Sequence, residues 1–441
     1  YSELKPEADY LSDLVVLAQA WKKSNQHIRM TNSYADNFEL DKTTIDLENK
    51  LKEWQGKLKE PGFSFKALEL VPAPKTSQWE FVKTPKNKDV LKNNSKKFDI
   101  EQFLSQPLKL VSIPKYSHRW QAVTDEDGST KGLRPIAHIS IADQTVLTSL
   151  LMCLSNPVET LQGDSTTDFD KVHDKKIVNY GNRLYCKYID GKANFSWGNS
   201  TTYSRFFADY RKFLDRPKYF GKQALNYKIS DEQVYEVHLD LEKFYDTVDR
   251  DILVKKIKEL ADNKDRLLNK ILKALQLWEW SKESPQLFEE VCASEKVPNI
   301  PKGIPQGLVA GGFLANIYLL DFDRWLAEKI GAELEEGLRL VDCCRYVDDM
   351  RLIIVANKDK NPNEIKAFID GYLGDELKGI GLSLNDGKTL VEKFKPKNGG
   401  ISTKLNDIQS KMSGPISFTE IDEHLGNLEG LVTLAAQLNN S

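Results

Sequence analysis

Two adjacent carboxylates stand inside a stretch that otherwise has the makings of a buried β-hairpin: CCRYVDDMRLIIV, residues 343–355. Leu340 to Tyr346 and Met350 to Val355 are strand-like on both sides, which puts Asp348 and Asp349 at or beside the turn. Unpaired carboxylates buried there cost several kcal/mol each unless a cation compensates them. Two solutions remain. Either the pair is an ordinary exposed Asp-Asp turn, or the hairpin tip faces a place where positive charge collects.

The surrounding pattern alternates strands and helices. VYEVHLDL (234–241) reads as a strand ending at Asp240, and DRDILVKKIKEL behind it repeats Leu253, Ile257 and Leu260 as a helix. GFLANIYLLDFDRWLAEKI is a longer helix with Leu314, Ile317, Tyr318, Phe322 and Trp325 on one side. A further helix is expected from about Asp143, with Val146, Leu150 and Cys153 or Leu154 in register. Upstream, LKLVSIPK and GLRPIAHISI suit a hairpin around the loop TDEDGST. This is an α+β arrangement around a mixed or antiparallel sheet. Residues 1 to about 60 predict two helices, one aligning Tyr10, Leu14, Leu17 and Trp21, the other Leu47, Leu51, Trp54 and Leu58. FSFKALELV then predicts a strand ended by Pro72 and Pro74, and 83–97 a linker. Near the end, Ile421, Leu425, Leu428, Val432 and Ala435 form an apolar helical stripe that needs a partner, so further sequence is expected after Ser441; the absent initiator Met suggests more before Tyr1.

Composition narrows the class. A chain of 441 residues, 40% hydrophobic and 29% charged, is long enough for two or three domains. It has no run of about 18 apolar residues and no signal-peptide architecture. Five cysteines without CxxC spacing argue against a disulfide framework or zinc ribbon and for a reducing cytoplasm. The net charge of −3 does not announce a nucleic-acid binder. Two stretches are nonetheless locally basic, KTPKNKDVLKNNSKK (83–97) and RKFLDRPKYFGK (211–222), and each reads as phosphate-binding or as a solvated face.

Asp240 at one strand end and Asp348 and Asp349 at a neighbouring hairpin tip make a suitable cage for two hard divalent ions, although a cap would also explain Asp240. Two such ions about 4 Å apart clamp the attacking and leaving oxygens of a phosphoryl transfer. In KGIPQGLVAGGFLANIYL, Gly303, Gly307, Gly311 and Gly312 predict a loop of exposed backbone leading into a helix, open to a nucleotide or template strand.

In this order the three blocks resemble motifs A, B and C of the palm of reverse transcriptases. The resemblance covers about residues 105–395 and rests on DxxxFY, xPQG and YxDD in sequence. It implies a right-hand polymerase: an N-terminal extension of helices, strand and linker (1–100), fingers with an inserted segment (101–230), a palm with an antiparallel sheet (231–395), and the start of a helical thumb (396–441). By the same resemblance Asp240, Asp348 and Asp349 hold two Mg²⁺ ions, for which Mn²⁺ can substitute. Tyr245 is the aromatic that screens the sugar, Gln306 and Gly307 lie along the template and nascent pair, and Arg134 with Lys131 grips the incoming triphosphate, Arg119 being a weaker candidate. Lys388 resembles the lysine that protonates the departing pyrophosphate; a solvated lysine at a turn is its alternative.

The sequence also departs from the common pattern. Leu308-Val309-Ala310-Gly311-Gly312 replaces the usual Ser-Pro after PQG, and with NYGNRLYC (179–186) it resembles the bacterial defence-associated, or "unknown group", branch related to abortive-infection enzymes. The implied function is RNA-directed DNA synthesis from dNTPs in antiphage defence. Untemplated or protein-primed synthesis is the alternative, and a catalytically silent nucleic-acid-binding scaffold another. Implied partners are an RNA template and DNA product, with a dedicated non-coding RNA, an accessory protein or a second copy as further candidates, and no membrane.

Overall fold

In the computed structural model of the chain, residues 3–31, 37–74, 79–83, 118–122, 133–262, 264–291 and 299–396 are described. Lys131, the strand LKLVSIPK, nearly all of the basic stretch 83–97 and the C-terminal helix lie outside them.

The described chain opens with α1 (Ala8–Leu11), α2 (Leu14–Thr31), α3 (Asn37–Ile45) and α4 (Leu47–Lys59), four helices where the sequence predicted two. The first break comes from Asp13, whose Oδ1 accepts from the backbone N–H groups of Val15 (2.8 Å) and Val16 (3.0 Å) and so starts a new helix. β1 (Glu69–Pro74), β2 (Trp79–Lys83), β3 (His118–Ala122), β4 (Leu133–His138), α5 (Ile141–Gln162), β5 (Cys186–Ile189), β6 (Lys192–Phe195) and α6 (Phe206–Tyr227) follow. After them come β7 (Glu232–Asp240), α7 (Phe244–Thr247), α8 (Arg250–Ala261), α9 (Arg266–Gln276), α10 (Ser284–Val291) and α11 (Gly311–Glu328). The last are β8 (Glu333–Glu335), β9 (Leu338–Tyr346), β10 (Asp349–Asn357), α12 (Pro362–Lys378) and β11 (Leu390–Lys393). Pro72 and Pro74 lie inside β1 instead of ending it. β1 pairs with β4 in a two-stranded sheet, which has only edge strands, and there a proline need not cost a ladder bond.

The chain divides into two compact units. The smaller spans Leu70–Ile136 and Lys282–Ile300; the larger holds the described residues within Tyr1–Glu69, Ala137–Ser281 and Pro301–Ser441. In the larger unit a five-stranded sheet runs in the order β11-β7-β10-β9-β8, antiparallel at every pair. Among the described residues no helix is long and apolar enough to cross a membrane.

The two faces of this sheet have separate cores. Tyr235, Val237, Leu239, Met350, Leu352 and Ile354 belong to the main core with α11 and α12. Val234, Ile353, Val355, Cys344 and Tyr346 pack instead against Phe213 and Phe220 of α6. A bulge decides which side chains of β9 go where. Ile353 pairs with Asp342 but Ile354 with Leu340, so Val341 is the extra residue. The inserted residue reverses the in-out alternation along β9. Leu338 and Leu340 therefore face the main core, while Asp342, Cys344 and Tyr346 face α6.

That parity explains α6, the basic stretch 211–222. Its cations do not all face solvent. Arg216 is fully buried and reaches through the aromatics to Asp342, with Nη2 2.7 Å and Nε 3.1 Å from Oδ1, while Nη1 donates to the Ile177 carbonyl at 2.5 Å. On the outer face, Arg211 and Lys218 both pair with Asp215.

Asp342→Ala strands the Arg216 guanidinium in a dry core and should cost about 3–5 kcal/mol in urea unfolding, whereas replacing both partners together (Arg216→Met with Asp342→Leu) should restore most of that loss. A single variant as stable as the wild type would contradict this.

Candidate active site

The end of the five-stranded sheet gathers the acidic residues. In the register of β10 against β7, Asp349 stands opposite Asp240, and the Leu241 N–H donates to the Asp348 carbonyl at 3.1 Å. That bond marks 240/349 as a non-hydrogen-bonded pair, the kind whose side chains approach most closely. Asp348 occupies the two-residue turn between β9 and β10, beside Val347. The sheet therefore brings all three predicted aspartates to one end, with Asp240 and Asp349 on the face that carries α6.

Their charges are poorly compensated. Burial pushes the Asp348 and Asp349 carboxyls above the usual carboxylate range, and the neighbouring acids add to it: Asp349 and Asp240 act on Asp348, and Asp240 on Asp349. Asp240, nearly buried, is held by Lys388, whose exposed ammonium lies 3.0 and 2.9 Å from its two oxygens, and by Asn385 Nδ2 at 3.2 Å. The bond to Asp240 in turn raises the Lys388 pKa. Neither Asp348 nor Asp349 has a salt-bridge partner among the described residues. Nor do any three His, Cys, Asp or Glu side chains among them stand grouped to hold an ion as they are. With Asp240 turned onto Lys388, the acids form a charged sheet end rather than a closed ligand set.

The turn itself is forced. Val347 has φ +58°, a left-handed conformation that is costly for a β-branched residue. Two contacts hold it there. Arg345, fully buried, donates from Nη1 to the Val347 carbonyl (2.8 Å) while Nε and Nη2 grip Asp323 of α11 at 2.7 and 2.5 Å. On the other side the segment 178–181 runs along β9, with the Tyr180 N–H on the Arg345 carbonyl and the Arg345 N–H on the Val178 carbonyl, both 2.9 Å. Gly181 then abuts the turn: a Cβ there would lie 2.4 Å from the Val347 nitrogen.

This segment, NYGNR, was legible only as an unusual string, and it is the part of the site that motif reading missed. Asn179 bonds Gln162 of α5 (2.6 Å) and the Gly181 N–H (2.9 Å). Asn182 donates to the Tyr245 hydroxyl (3.1 Å), and Arg183 is buried on Glu159 of α5 (2.8 Å). Asn316 of α11 donates to the carbonyls of Gly181 (2.9 Å) and Asn182 (3.0 Å).

Tyr245 sits in α7 at the strand-to-helix junction, half-buried. Burial, with the nearby Asp348 charge, raises its pKa to about 12. Gln306 donates to Asp246 Oδ1 (2.9 Å), and its carbonyl accepts from the Ala137 N–H (2.8 Å). Gly307 is exposed, at φ +103°. The glycine-rich loop is less open than its sequence suggested. A Cβ on Gly303 would lie 2.0 Å from the Tyr245 carbonyl, and one on Gly312 2.5 Å from Asn182, so these two glycines serve internal packing. Gln144 of α5 fixes the loop beyond them, donating to the Gly307 carbonyl (2.9 Å) and accepting from the Val309 N–H (2.8 Å). Arg134 is exposed on β4 of the smaller unit, and Arg119 lies on β3.

Gly181→Ala should cost about 1–3 kcal/mol in thermal or urea unfolding, because the new methyl meets backbone that cannot yield. Gly371→Ala, on α12 with open space around its Cα, should gain about 0.5–1 kcal/mol. Equal effects from the two would show that the turn contact does not constrain the fold.

Residues 201–400 match the family model described as reverse transcriptase (RNA-dependent DNA polymerase), a range that takes in Asp240, Tyr245, Gln306, Gly307, Asp348, Asp349 and Lys388. No curated protein matches the chain. Among solved structures it is similar to apo telomerase from Candida tropicalis truncated from its C-terminal domain, at 19% identity over 43% of this chain and 36% of that one, with a TM-score of 0.26. It is similar also to apo telomerase from Candida tropicalis (14% identity, 60% of this chain and 43% of that one, TM-score 0.33). A third is the telomerase from Candida albicans in complex with a TWJ fragment of telomeric RNA (15% identity, 42% and 31%, TM-score 0.25). The chain spans less than half the length of each of these telomerases, and a likeness at that level adds nothing to the family match. The segment carrying the acidic sheet end thus matches the reverse transcriptase family model over residues 201–400, a little less than half of the chain.

Proposed function

We propose that the chain is an RNA-directed DNA polymerase that adds dNTPs to a 3′-hydroxyl by two-metal phosphoryl transfer, with residues 231–395 as palm, the preceding part as fingers and the C-terminal part as thumb. One observation carries this reading: Asp240 and Asp349 face each other across a non-hydrogen-bonded strand pair, with Asp348 in the adjoining turn. Three acids in one half-buried place, two of them with raised pKa values, suit hard divalent cations such as Mg²⁺ or Mn²⁺. Bound there, such ions would neutralise charge on the attacking oxygen and on the departing pyrophosphate.

The remaining roles belong to the chain's own groups. Asp240, Asp348 and Asp349 supply the oxygens that hold the ions. Tyr245, kept in place by Asn182, presents its ring below the sugar and leaves no room for a 2′-hydroxyl. Gln306 and the exposed Gly307 lie along the template and nascent pair. Lys388, already beside Asp240, is within reach to give its Nζ proton to the departing pyrophosphate. Arg134, with Lys131, is the proposed grip on the triphosphate. The antiphage role and a cytoplasmic location rest on the likeness of residues 308–312 and of NYGNRLYC to the defence-associated branch, with an RNA template, a DNA product and an accessory RNA or protein as the partners that likeness suggests.

Asp348→Asn should reduce dNTP incorporation to background while leaving the melting temperature near that of the wild type; full activity would end the assignment. Tyr245→Ala should shrink discrimination against ribonucleotides by at least about tenfold in competition assays, and an unchanged preference would remove its role as sugar screen. Sequencing what the purified protein makes from labelled dNTPs tests the template: a product complementary to bound RNA supports copying, and a homopolymer or random tract overturns it in favour of untemplated synthesis.

A further inference from the structure

Gln19, Lys23 and His27 recur at four-residue spacing along α2 and so share one face of the helix. All three meet the segment 196–203. Gln19 Nε2 donates to the Asn199 carbonyl at 2.6 Å. Lys23 is wholly buried, and its ammonium donates to the carbonyls of Thr201 (2.6 Å) and Ser196 (3.1 Å) and to Asn199 Oδ1 (3.4 Å), 4.4 Å from the centre of the Phe195 ring. His27 packs on the Tyr203 ring, centroids 5.3 Å apart. Removing a lysine from water is expensive unless its donors are met, and here backbone and amide oxygens of one short segment meet them.

Tyr203 is where that segment reaches the site. Its hydroxyl donates to the Val309 carbonyl (2.6 Å) and accepts from the Phe313 N–H (3.3 Å), spanning the passage from the glycine-rich loop into α11. Its backbone bridges antiparallel to Leu184, flanked by bonds from the Tyr185 N–H to the Thr202 carbonyl (3.0 Å) and from the Ser204 N–H to the Arg183 carbonyl (2.8 Å). The same segment thus lies against residues 183–185, which continue from the strip that presses on Val347.

We infer that Tyr203 is a positioning residue for the glycine-rich loop, and that Gln19, Lys23 and His27 of α2 form the support that fixes Tyr203. α2 is then a working part of the nucleotide site. This rests on the polymerase reading only in calling that site a nucleotide site; the mechanical coupling does not.

The test is hydrogen exchange on the full chain together with steady-state dNTP kinetics. Tyr203→Phe removes both hydroxyl bonds and should speed exchange in peptides spanning 305–313 on the order of tenfold, as loss of about one ordinary hydrogen bond predicts. It should also raise KM for dNTP more than it lowers kcat. Lys23→Met should speed exchange in 196–204 and, through it, in 305–313. Tyr235→Phe, whose hydroxyl meets the Lys360 carbonyl at the far end of β7 (3.2 Å), should leave the loop unchanged. If Lys23→Met does not fold, Gln19→Ala, which removes the bond to Asn199, makes the same test. Unchanged exchange at 305–313 in Tyr203→Phe overturns the coupling. Faster exchange with kinetics identical to an active wild type overturns the positioning role. Faster exchange in a protein whose wild type incorporates no nucleotide upholds the coupling and overturns the polymerase reading.

Discussion

The contact between Gly181 and the backbone of Val347 is the constraint on which the rest of the site depends. Positive φ is ordinary at the first position of a two-residue hairpin turn, but a β-branched residue pays for it and would leave that conformation if it were free. It is not free: backbone lies against one side of it and the Arg345 guanidinium holds its carbonyl on the other. The position of Asp348, and the start of β10 that sets Asp349 against Asp240, both follow from where this turn is pinned. The acidic geometry is thus imposed from outside the hairpin, by a strip of chain more than 150 residues earlier in sequence.

The acids answer to a different force. Nothing in the sheet end satisfies them as a group. Lys388 takes both oxygens of Asp240, while Asp348 and Asp349 share one half-buried space with it, with charges that oppose one another. A local excess of negative charge at low dielectric is unfavourable in isolation. A divalent cation bound there, as proposed, would offset it, and Lys388 is the group that would have to release Asp240. A flexible four-carbon stem on an exposed residue suits that exchange better than a buried partner would.

Much of this was legible in the sequence because chemistry concentrates in short strings. The hairpin, the strand ending at Asp240, the helix behind that strand, the helix after the glycine-rich loop and the α+β class all followed from periodicity and from two carboxylates where an apolar run should continue. Contacts at long range were not. NYGNR carries no periodic signal, and its function exists only through β9, α5 and α11, which the sequence places far from it. Gly303 and Gly312 looked like openness and are close packing, because a glycine string does not say whether backbone or solvent will fill the missing Cβ. The stretch 211–222 read as phosphate-binding or as a solvated face, and neither reading foresaw Arg216 in the core, because composition cannot tell a buried arginine from an exposed one; the bulge at Val341, which turns Asp342 toward it, has no signature of its own. Asp13 broke a predicted helix through a cap that periodicity overlooks.

Three buried ion pairs surround the hairpin: Arg183 with Glu159, Arg216 with Asp342, and Arg345 with Asp323. Apolar side chains of similar volume would stabilise the fold about as well, since the cost of desolvating two charges offsets most of their attraction. The value of the two pairs that involve β9 lies in being incompatible with any other register. Asp342 reaches Arg216 only if Val341 is bulged, and Arg345 reaches Asp323 only if β9 presents that residue to α11 and not to α6. A one-residue slip of β9 would bury Arg216 and Arg345 without their partners, at several kcal/mol each. An apolar sheet would tolerate such a slip, and with it the turn between β9 and β10 that carries Asp348 would shift. The charges inside the protein therefore fix where the charges at its edge must stand.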